Sequence, residues 1–315
     1  MRKVLGLRLP ILVGVVALCL SGCAPITSGG GPGKAEGGSG SAGSASVSVV
    51  ASVRVWADIA QVIGGKYVAA SAVVALPGQD PHSYQTTVRD QLAVNRADIT
   101  ITNGGGYDPF FAQLVANKPR SSAAAGLNLV ARLKSAHLMV DPNPHLWYDL
   151  EYVRVLAGVI GRTEAAATKN PAAQTSILAN TANFQRGIQA LAKQQQALMK
   201  RVVGKPVLVT EPFASRMLRH LALIDDTPVE FKNAVEQEQD ASPKVMREMQ
   251  LRLASHRVSL LLVNLQTEGS QTNQLMQWAQ ESGVPVLALS EVLPAGAHYL
   301  GWMQKNLDEI ARAIH

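Results

Sequence analysis

Cysteine is nearly missing from this sequence, with only Cys19 and Cys23 among 315 residues. Two cysteines cannot build the disulfide framework that holds small secreted domains together. Aromatic residues make up 5% of the chain, which offers little for a large aromatic cleft that would bind haem or a siderophore. With 47% hydrophobic residues, the chain is a globular protein long enough for about two domains.

A strong excess of one charge is also missing. The formal net charge is +6, but once Arg2, Lys3 and Arg8 are set aside, 26 basic residues stand against 23 acidic ones. A surplus this small and scattered is not an electrostatic footprint for phosphates. We therefore expect no nucleic-acid partner.

Common motifs for catalysis and cofactor binding are absent as well. The sequence contains no HExxH, no GxxxxGK[ST], no EF-hand loop and no G-x-S-x-G. The pattern G-x-G-x-x-G occurs at 38–43, but no strand precedes it and no helix follows, so we interpret it as chance. Candidate chemistry is thereby confined to the histidines and to a few acids near strand ends.

The N-terminus has the pattern of an export signal. Arg2 and Lys3 precede an apolar run of about 12 residues, which is too short to cross a bilayer as a helix. The run ends in Leu-Ser-Gly before Cys23, which looks like a bacterial lipobox. We predict a signal peptide at 1–22, a lipid anchor on Cys23 and a flexible Gly/Ser-rich tether at 23–46. A plain signal peptide with an incidental cysteine is the alternative.

The body alternates strand and helix patterns, which predicts an α/β fold of two lobes, each a mostly parallel sheet flanked by helices. We assign the N-terminal lobe to 47–169 and the C-terminal lobe to 205–315. Strands are predicted at 47–56, 67–76, 98–102, 206–210, 258–265 and 284–289. Helices are predicted at 57–63, 86–94, 243–255, 271–282 and 299–314. Two further helices are predicted, one that begins at 109 and another that ends at 220.

One long helix is predicted between the lobes, within the linking segment 170–204. Asn170-Pro171 is a start signal and Gly204-Lys205-Pro206 is a stop signal. About 31 helical residues span about 46 Å. A single stiff connector of this length is expected to resist large hinge motion.

Two histidines occur in matching Pro-His contexts, in loops that precede helices. His82 lies in Pro-Gly-Gln-Asp-Pro-His-Ser-Tyr and His145 in Asp-Pro-Asn-Pro-His-Leu-Trp-Tyr-Asp. The prolines restrict both loops, which suits a pre-organised site. We interpret the pair as imidazole ligands of a metal, with a neighbouring Asp80 or Asp141 as the group that orients an imidazole.

Two acids follow predicted strands of the second lobe. Glu211 comes after Val207–Thr210 and Glu291 after Val286–Ser290. An acid at a helix start can also serve only the helix dipole, and Glu291 can be an exposed loop acid. Of the remaining histidines, His298 borders the last helix and is the one within possible reach of a cleft.

These motifs together resemble a known family. A lipobox, a Pro-His-Ser-Tyr loop, an Asn-Pro-His-Leu-Trp loop and a long central helix are similar to the zinc/manganese ABC-transporter substrate-binding lipoproteins, which include adhesin-type members. The resemblance covers residues from about 50 to 314.

The resemblance implies one divalent metal ion, Mn²⁺ or Zn²⁺, between the lobes. It implies His82 and His145 as ligands from the first lobe, with Glu211 and Glu291 from the second; a shift of one residue would put Ser290 in the fourth position. Asn264 stands where the family often has Glu. The ligand chemistry suits Mn²⁺, although Zn²⁺ binds the same groups more strongly.

The resemblance also implies a carrier and not an enzyme. The chain is expected to be a monomer, lipid-anchored on the extracytoplasmic face of the cell membrane, that delivers metal to an ABC permease. Two alternatives stay open: an exported metal-dependent hydrolase with an open water position, and a surface adhesin in which the metal is structural.

Overall fold

A run of small and β-branched residues, Val47–Val53, forms the first strand, β1, in the computed structural model of the chain. The structure describes residues 47–76, 79, 81, 83–119, 125–138, 141–237, 239–266 and 269–314. The predicted signal peptide, Cys23 and most of the Pro-His loop around His82 lie outside the described residues. Among the described helices, none combines the length and apolar character that crossing a bilayer requires.

The N-terminal lobe is built on a parallel sheet with the strand order β2-β1-β3-β4. Its other strands are β2 (Val68–Val74), β3 (Ile99–Thr102) and β4 (Ala125–Asn128). Its helices are α1 (Arg54–Gly64), α2 (Val88–Arg96), α3 (Pro109–Ala116), α4 (Leu129–Ser135) and α5 (Leu150–Ala167). A capping box joins Thr87 to Asp90 at the start of α2.

The C-terminal lobe repeats this arrangement with the strand order β6-β5-β7-β8. Its strands are β5 (Pro206–Val209), β6 (Ile224–Asp225), β7 (Leu260–Asn264) and β8 (Val286–Leu289). Its helices are α7 (Ser215–His220), α8 (Val229–Glu236), α9 (Pro243–Ala254), α10 (Ser270–Glu281) and α11 (Tyr299–Ala313). All described pairs in both sheets are parallel, so the carboxyl ends of neighbouring strands lie together.

One helix of 32 residues, α6 (Pro171–Val202), joins the lobes. The Asn170 side chain caps its start and Pro171 occupies its first turn. Its buried stripe includes Ile177, Phe184 and Ile188, which belong to a hydrophobic cluster that also contains residues of both sheets. The predicted two-lobe α/β fold with a long helix is confirmed.

Most element boundaries shift by a few residues from the prediction, and one shift has a clear cause. The predicted first strand runs to Trp56, whereas in the structure β1 ends at Val53 and α1 begins at Arg54. Val55 and Trp56 are fully buried in the first turn of α1. The end of β1 and the start of α1 are both buried, so apolar residues continue from the strand into the helix. The apolar run therefore does not show where the strand ends.

Candidate metal centre

Three of the four predicted ligands converge at one point between the lobes. One nitrogen of His145 and one carboxylate oxygen each of Glu211 and Glu291 all lie within 4.8 Å of one another. The three residues are buried, with relative exposures of 4%, 9% and 1%. His82 lies outside the described residues, so the structure gives no position for it.

The two acids reach the cluster because they follow parallel strands of the same sheet. Glu211 lies two residues beyond β5 and Glu291 two residues beyond β8, and β7 lies between these strands in the sheet. Asn264 is the last residue of β7. Its amide nitrogen donates to Oε2 of Glu211 at 2.6 Å and to Oε2 of Glu291 at 3.0 Å. One side-chain amide therefore holds both carboxylates side by side.

Asn143 orients the His145 ring. Its Oδ1 accepts from the backbone N–H of His145 at 2.9 Å and lies 3.0 Å from Nδ1, while its amide nitrogen donates to the Pro212 carbonyl at 2.7 Å. These contacts fix Oδ1 as an acceptor, so Nδ1 carries the proton and Nε2 points into the cluster. The expectation that Asp141 orients this imidazole is wrong, because Asp141 pairs with Arg216 and Arg219.

The contact between His145 and Glu291 requires a positive species. Nε2 of His145 lies 3.1 Å from Oε1 of Glu291. With the ring proton on Nδ1, both of these atoms are hydrogen-bond acceptors. Two acceptors at this distance are stable only with a proton or a cation between them. The buried donor set therefore fits a divalent metal ion on chemical grounds.

Glu291, and not Ser290, contributes the side chain at the fourth predicted position. Its Oε1 accepts from the Tyr107 hydroxyl at 2.8 Å, and its backbone N–H donates to Oε1 of Gln266 at 2.6 Å. The Ser290 hydroxyl instead contacts Gln266 and the Val292 carbonyl.

Tyr107 is a contact of the cluster that sequence reasoning missed. Burial, followed by the charge and hydrogen bond of Glu291, raises the pKa of this phenol well above its usual value, so it stays neutral and donates. The preceding Gly104 has φ +81°, and a Cβ there would lie 2.5 Å from Oδ1 of Asn128. The three-glycine turn at 104–106 is the sequence signal that a specific side chain follows.

Two aromatic residues after His145 hold the backbone that carries Glu291. Nε1 of Trp147 donates to the Glu291 carbonyl at 2.9 Å, and the Tyr148 hydroxyl donates to the Ser290 carbonyl at 2.5 Å. Both side chains are fully buried. The loop with His145 and the turn with Glu291 are thereby fixed to each other although they belong to different lobes.

A second set of contacts joins the lobes through α7, which follows Glu211. Arg216 is fully buried; its Nη2 donates to Oδ1 of Asp141 at 2.5 Å and also to the Asn143 carbonyl. Arg219 donates to Oδ2 of Asp141 at 2.7 Å. These bonds attach the start of the C-terminal lobe to the loop that carries His145.

Two other described histidines, His220 and His298, have their partners outside the cluster. Nε2 of His220 is 3.0 Å from Oδ2 of Asp149, the cap of α5. Burial alone would raise the pKa of Asp149, but hydrogen bonds from His220 and from the Tyr152 N–H lower it below its ordinary value. His298, which sequence analysis placed within possible reach of the cleft, instead contacts Asp58 at 2.6 Å.

The chain belongs to the family described as "Zinc-uptake complex component A periplasmic", which matches residues 49–313.

Several known metal-binding proteins are similar to this chain over most of its length. The metal ABC transporter substrate-binding lipoprotein ScbA of Streptococcus cristatus is 23% identical over 290 residues, which are 86% of this chain and 90% of ScbA. A crystal structure of ZnuA has a TM-score of 0.69 at 19% identity and covers 86% of this chain and 100% of its own. A manganese-bound periplasmic metal-binding protein from Candidatus Liberibacter asiaticus has a TM-score of 0.66 at 16% identity and covers 85% and 100%.

Proposed function

We propose that this chain captures a divalent transition metal, Mn²⁺ or Zn²⁺, between its lobes outside the cell and delivers it to the permease of an ABC importer. His145, Glu211 and Glu291 are the ligands, and His82 is the fourth. The observation that carries the proposal is the meeting of His145 with the two carboxylates within 4.8 Å. One ion per chain neutralises both buried acids.

The proposed ligands favour carriage over catalysis. Four protein ligands leave no open position for an activated water, which is what catalytic zinc sites keep. Asn264 adds only a donor to the two carboxylates, so it orients them without binding the cation itself. Amide donors of this kind tune the affinity and geometry of a metal site.

The choice between the two metals follows from the oxygen content of the site. Two carboxylates that bind through both oxygens give up to six donors together with the two imidazoles, and such a set suits Mn²⁺. The same four groups bind Zn²⁺ in a tetrahedron. A manganese-bound relative has the same fold, which is compatible with the first option. We favour Mn²⁺ as the physiological cargo.

Lipidation of Cys23 would hold the chain at the extracytoplasmic face of the membrane, close to its permease. Release would then require that Glu211 moves away from His145. The bonds from α7 to the His145 loop are the contacts that must yield in this step. The chain acts as a monomer in this proposal, because both lobes of one copy supply the ligands.

Native mass spectrometry with elemental analysis tests the ligand set. We expect one metal ion on the wild type and a fall in affinity of at least about 100-fold in His82→Ala, His145→Ala, Glu211→Ala and Glu291→Ala, since outer contacts alone are worth 10–100-fold. His298→Ala is the matched control, because this imidazole contacts Asp58 and not the cluster.

Circular dichroism of each variant shows whether it has folded. Retention of a stoichiometric ion by folded His145→Ala and Glu291→Ala would overturn the assignment. Equal loss of metal in His298→Ala would do the same, because the effect would then not be specific to the cluster.

A further inference from the structure

The amino edge of the N-terminal sheet, opposite to the metal centre, carries an unbalanced set of basic residues. In a parallel α/β sheet, each helix runs back to this edge, so the last turns of the helices lie there. We define the basic amino-edge surface by five exposed residues at or near the ends of α1, α2, α4 and α5: Lys66, Arg96, Arg132, Arg162 and Lys169.

Three of these residues share one groove. Arg96, Arg132 and Arg162 line a groove of about 870 Å³ together with Ser135 and Thr163. None of the three guanidinium groups makes a hydrogen bond or an ion pair with a described residue. Guanidinium groups recognise phosphate oxygens through paired hydrogen bonds. The Ser135 and Thr163 hydroxyls already donate to the Ala131 and Val159 carbonyls, so the three arginines are the donors that this groove offers.

Acidic residues do not balance this groove. Asp98 is its one described acidic lining residue, and the Asp98 carboxylate already accepts from the backbone N–H and the hydroxyl of Ser48, both at 2.8 Å. A basic residue near a helix C-terminus is favoured by the helix dipole. In the other lobe, however, Arg252 at the end of α9 pairs with Asp226 at 2.5 Å and Glu248 at 2.7 Å. The dipole therefore does not account for the missing acids.

The chain enters the folded body at the same edge. β1 begins at Val47 in the centre of the sheet, and the Ser48–Asp98 bonds place its start beside the groove. The chain before it, from Cys23 to Ser46, has 24 residues rich in glycine and serine. The flexible tether that this composition predicts would span about 27 Å on average.

We propose that the basic amino-edge surface docks on anionic phospholipid headgroups of the membrane that holds Cys23. The inference rests on the lipid anchor proposed above. Anchoring keeps this edge close to the bilayer, and each basic residue near an anionic surface strengthens association by about fivefold. Docking turns the opposite edge, with the metal centre, away from the membrane. The docked chain collects metal and must rotate to meet the permease.

Fluorescence quenching on vesicles tests this orientation. The mature lipidated chain is reconstituted with a headgroup quencher in phosphatidylcholine, with or without about 30% phosphatidylglycerol as the source of surface charge. A dye is placed at Asn117→Cys, at the exposed end of α3, or at Thr86→Cys, before the start of α2. We expect at least twofold stronger quenching at 117 on anionic vesicles, no change at 86, and loss of the effect when salt of about 1 M shortens the Debye length to 3 Å.

Two matched triple variants separate local from net charge. Replacing Arg96, Arg132 and Arg162 by Gln should abolish the difference between the two vesicle types. Replacing Arg186, Arg201 and Arg247, which are exposed arginines of α6 and α9, removes the same charge and should preserve it. Metal binding and thermal unfolding should stay unchanged in both variants, which confirms that each has folded.

Each contrary outcome has a distinct meaning. A chain that fails to float with any vesicle overturns the anchor, and the docking proposal with it. A chain that floats with both vesicle types but shows equal quenching at 117, or equal loss in the two triple variants, overturns docking alone. Release by inorganic phosphate, but not by chloride of equal ionic strength, would show a phosphate pocket and would also overturn it.

Discussion

Glu164 is a buried acid with no role in the metal centre. Its side chain on α5 is fully inaccessible, and neither carboxylate oxygen has a hydrogen-bond partner among the described residues. Burial raises the pKa of Glu164 from 4.5 to about 9. The folded protein therefore holds this carboxyl in its neutral form at pH 7, whereas the unfolded chain would ionise it.

We predict that Glu164→Gln stabilises the protein at neutral pH. The folded pKa lies above the unfolded one, so the contribution of Glu164 to stability is complete below pH 4.5 and falls as the pH rises towards about 9. At pH 7 the substitution should recover about 3 kcal/mol, and near pH 4.5 it should change little. Urea unfolding at both pH values measures this effect.

Glu281→Gln is the matched control, because that acid is exposed at the end of α10. Its free energy of unfolding should change by less than about 0.5 kcal/mol at either pH. A Glu164→Gln protein whose gain in stability is the same at pH 4.5 and pH 7 would show that ionisation is not the cause.

At the residue scale, the sequence predicts the acids of the cluster, because they follow strand ends. It does not predict the side chains that contact the cluster and orient its members. Glu211 and Glu291 are visible in the sequence because a short apolar strand precedes each. Tyr107 and Asn143 are not, because one contacts a residue 184 positions away and the other is a local amide inside a Pro-rich loop. Acids commonly orient a ligand imidazole, which favours Asp141 over Asn143 in the sequence, whereas in the structure the Asn143 amide contacts the His145 ring.

At the scale of elements, α7 links the two sides of the metal centre. Arg216 lies 5.1 Å from the Tyr152 ring centroid and bonds to Asp141 and Asn143. Burial lowers the pKa of Arg216 and Asp141 opposes this shift. Because Asn143 also orients His145, a change at Arg216 reaches a proposed ligand through the loop backbone.

We predict that Arg216→Met weakens metal binding by about tenfold, the lower range for groups that support a ligand. Met keeps most of the apolar volume, so the loss comes from the missing bonds to Asp141 and Asn143. Competition with a metal chelator measures the affinity. A faster release of metal, without a change in the association rate, is the expected kinetic signature.

Arg219→Met is the comparison for this experiment, since Arg219 contacts the same Asp141 from an exposed position. An exposed pair contributes about 0–1 kcal/mol, so its effect on affinity should be at most about fivefold. If the two variants weaken binding equally, the buried bonds of Arg216 do not position the loop.

Element prediction succeeds where caps and periodicity agree and fails for short elements. Asn170-Pro171 and the apolar stripe predict α6 almost to the residue, and Thr87 with Asp90 predicts the start of α2. Strand β6 has only two residues, too few for a period to be visible. Small and apolar residues occur on several faces of α5, so its sequence lacks the one-sided pattern that predicts a separate helix.

At the scale of the whole molecule, the lobes share one core. Residues 43–315 form a single compact unit, and the main hydrophobic cluster contains residues of β1, α6, β5 and α11. A smaller cluster around Leu208 and Met249 belongs to the C-terminal lobe. A shared core of this kind predicts that the lobes unfold together.

We predict one cooperative transition in urea for the metal-free chain. Trp56 lies in the shared core and Trp278 packs on the smaller cluster. Tryptophan fluorescence of the wild type and of Trp278→Phe, in which Trp56, Trp147 and Trp302 of the shared core remain, should give midpoints that agree within about 0.2 M, because coincident probes are the test of two-state unfolding. An earlier loss of the Trp278 signal would show that the C-terminal lobe unfolds by itself.

The alternation of strand and helix patterns predicts the two lobes. It does not predict how many contacts join the lobes to each other. The sequence predicts one connector, α6. The structure adds the bonds of Trp147 and Tyr148 to 290–291 and a bond from the Tyr299 backbone to Asp58. Contacts between residues that lie over 100 positions apart have no periodic signal in a single sequence.

The indole and phenol bonds between 147–148 and 290–291 have a consequence for protein engineering. Because both acceptors are backbone carbonyls, a chimera of two relatives keeps these bonds only if the turn from one parent places its carbonyls where the indole and the phenol of the other parent can reach them. Exchanging cargo preference between relatives will therefore require that the Leu146–Tyr148 turn and the Ser290–Glu291 turn are transplanted as one unit.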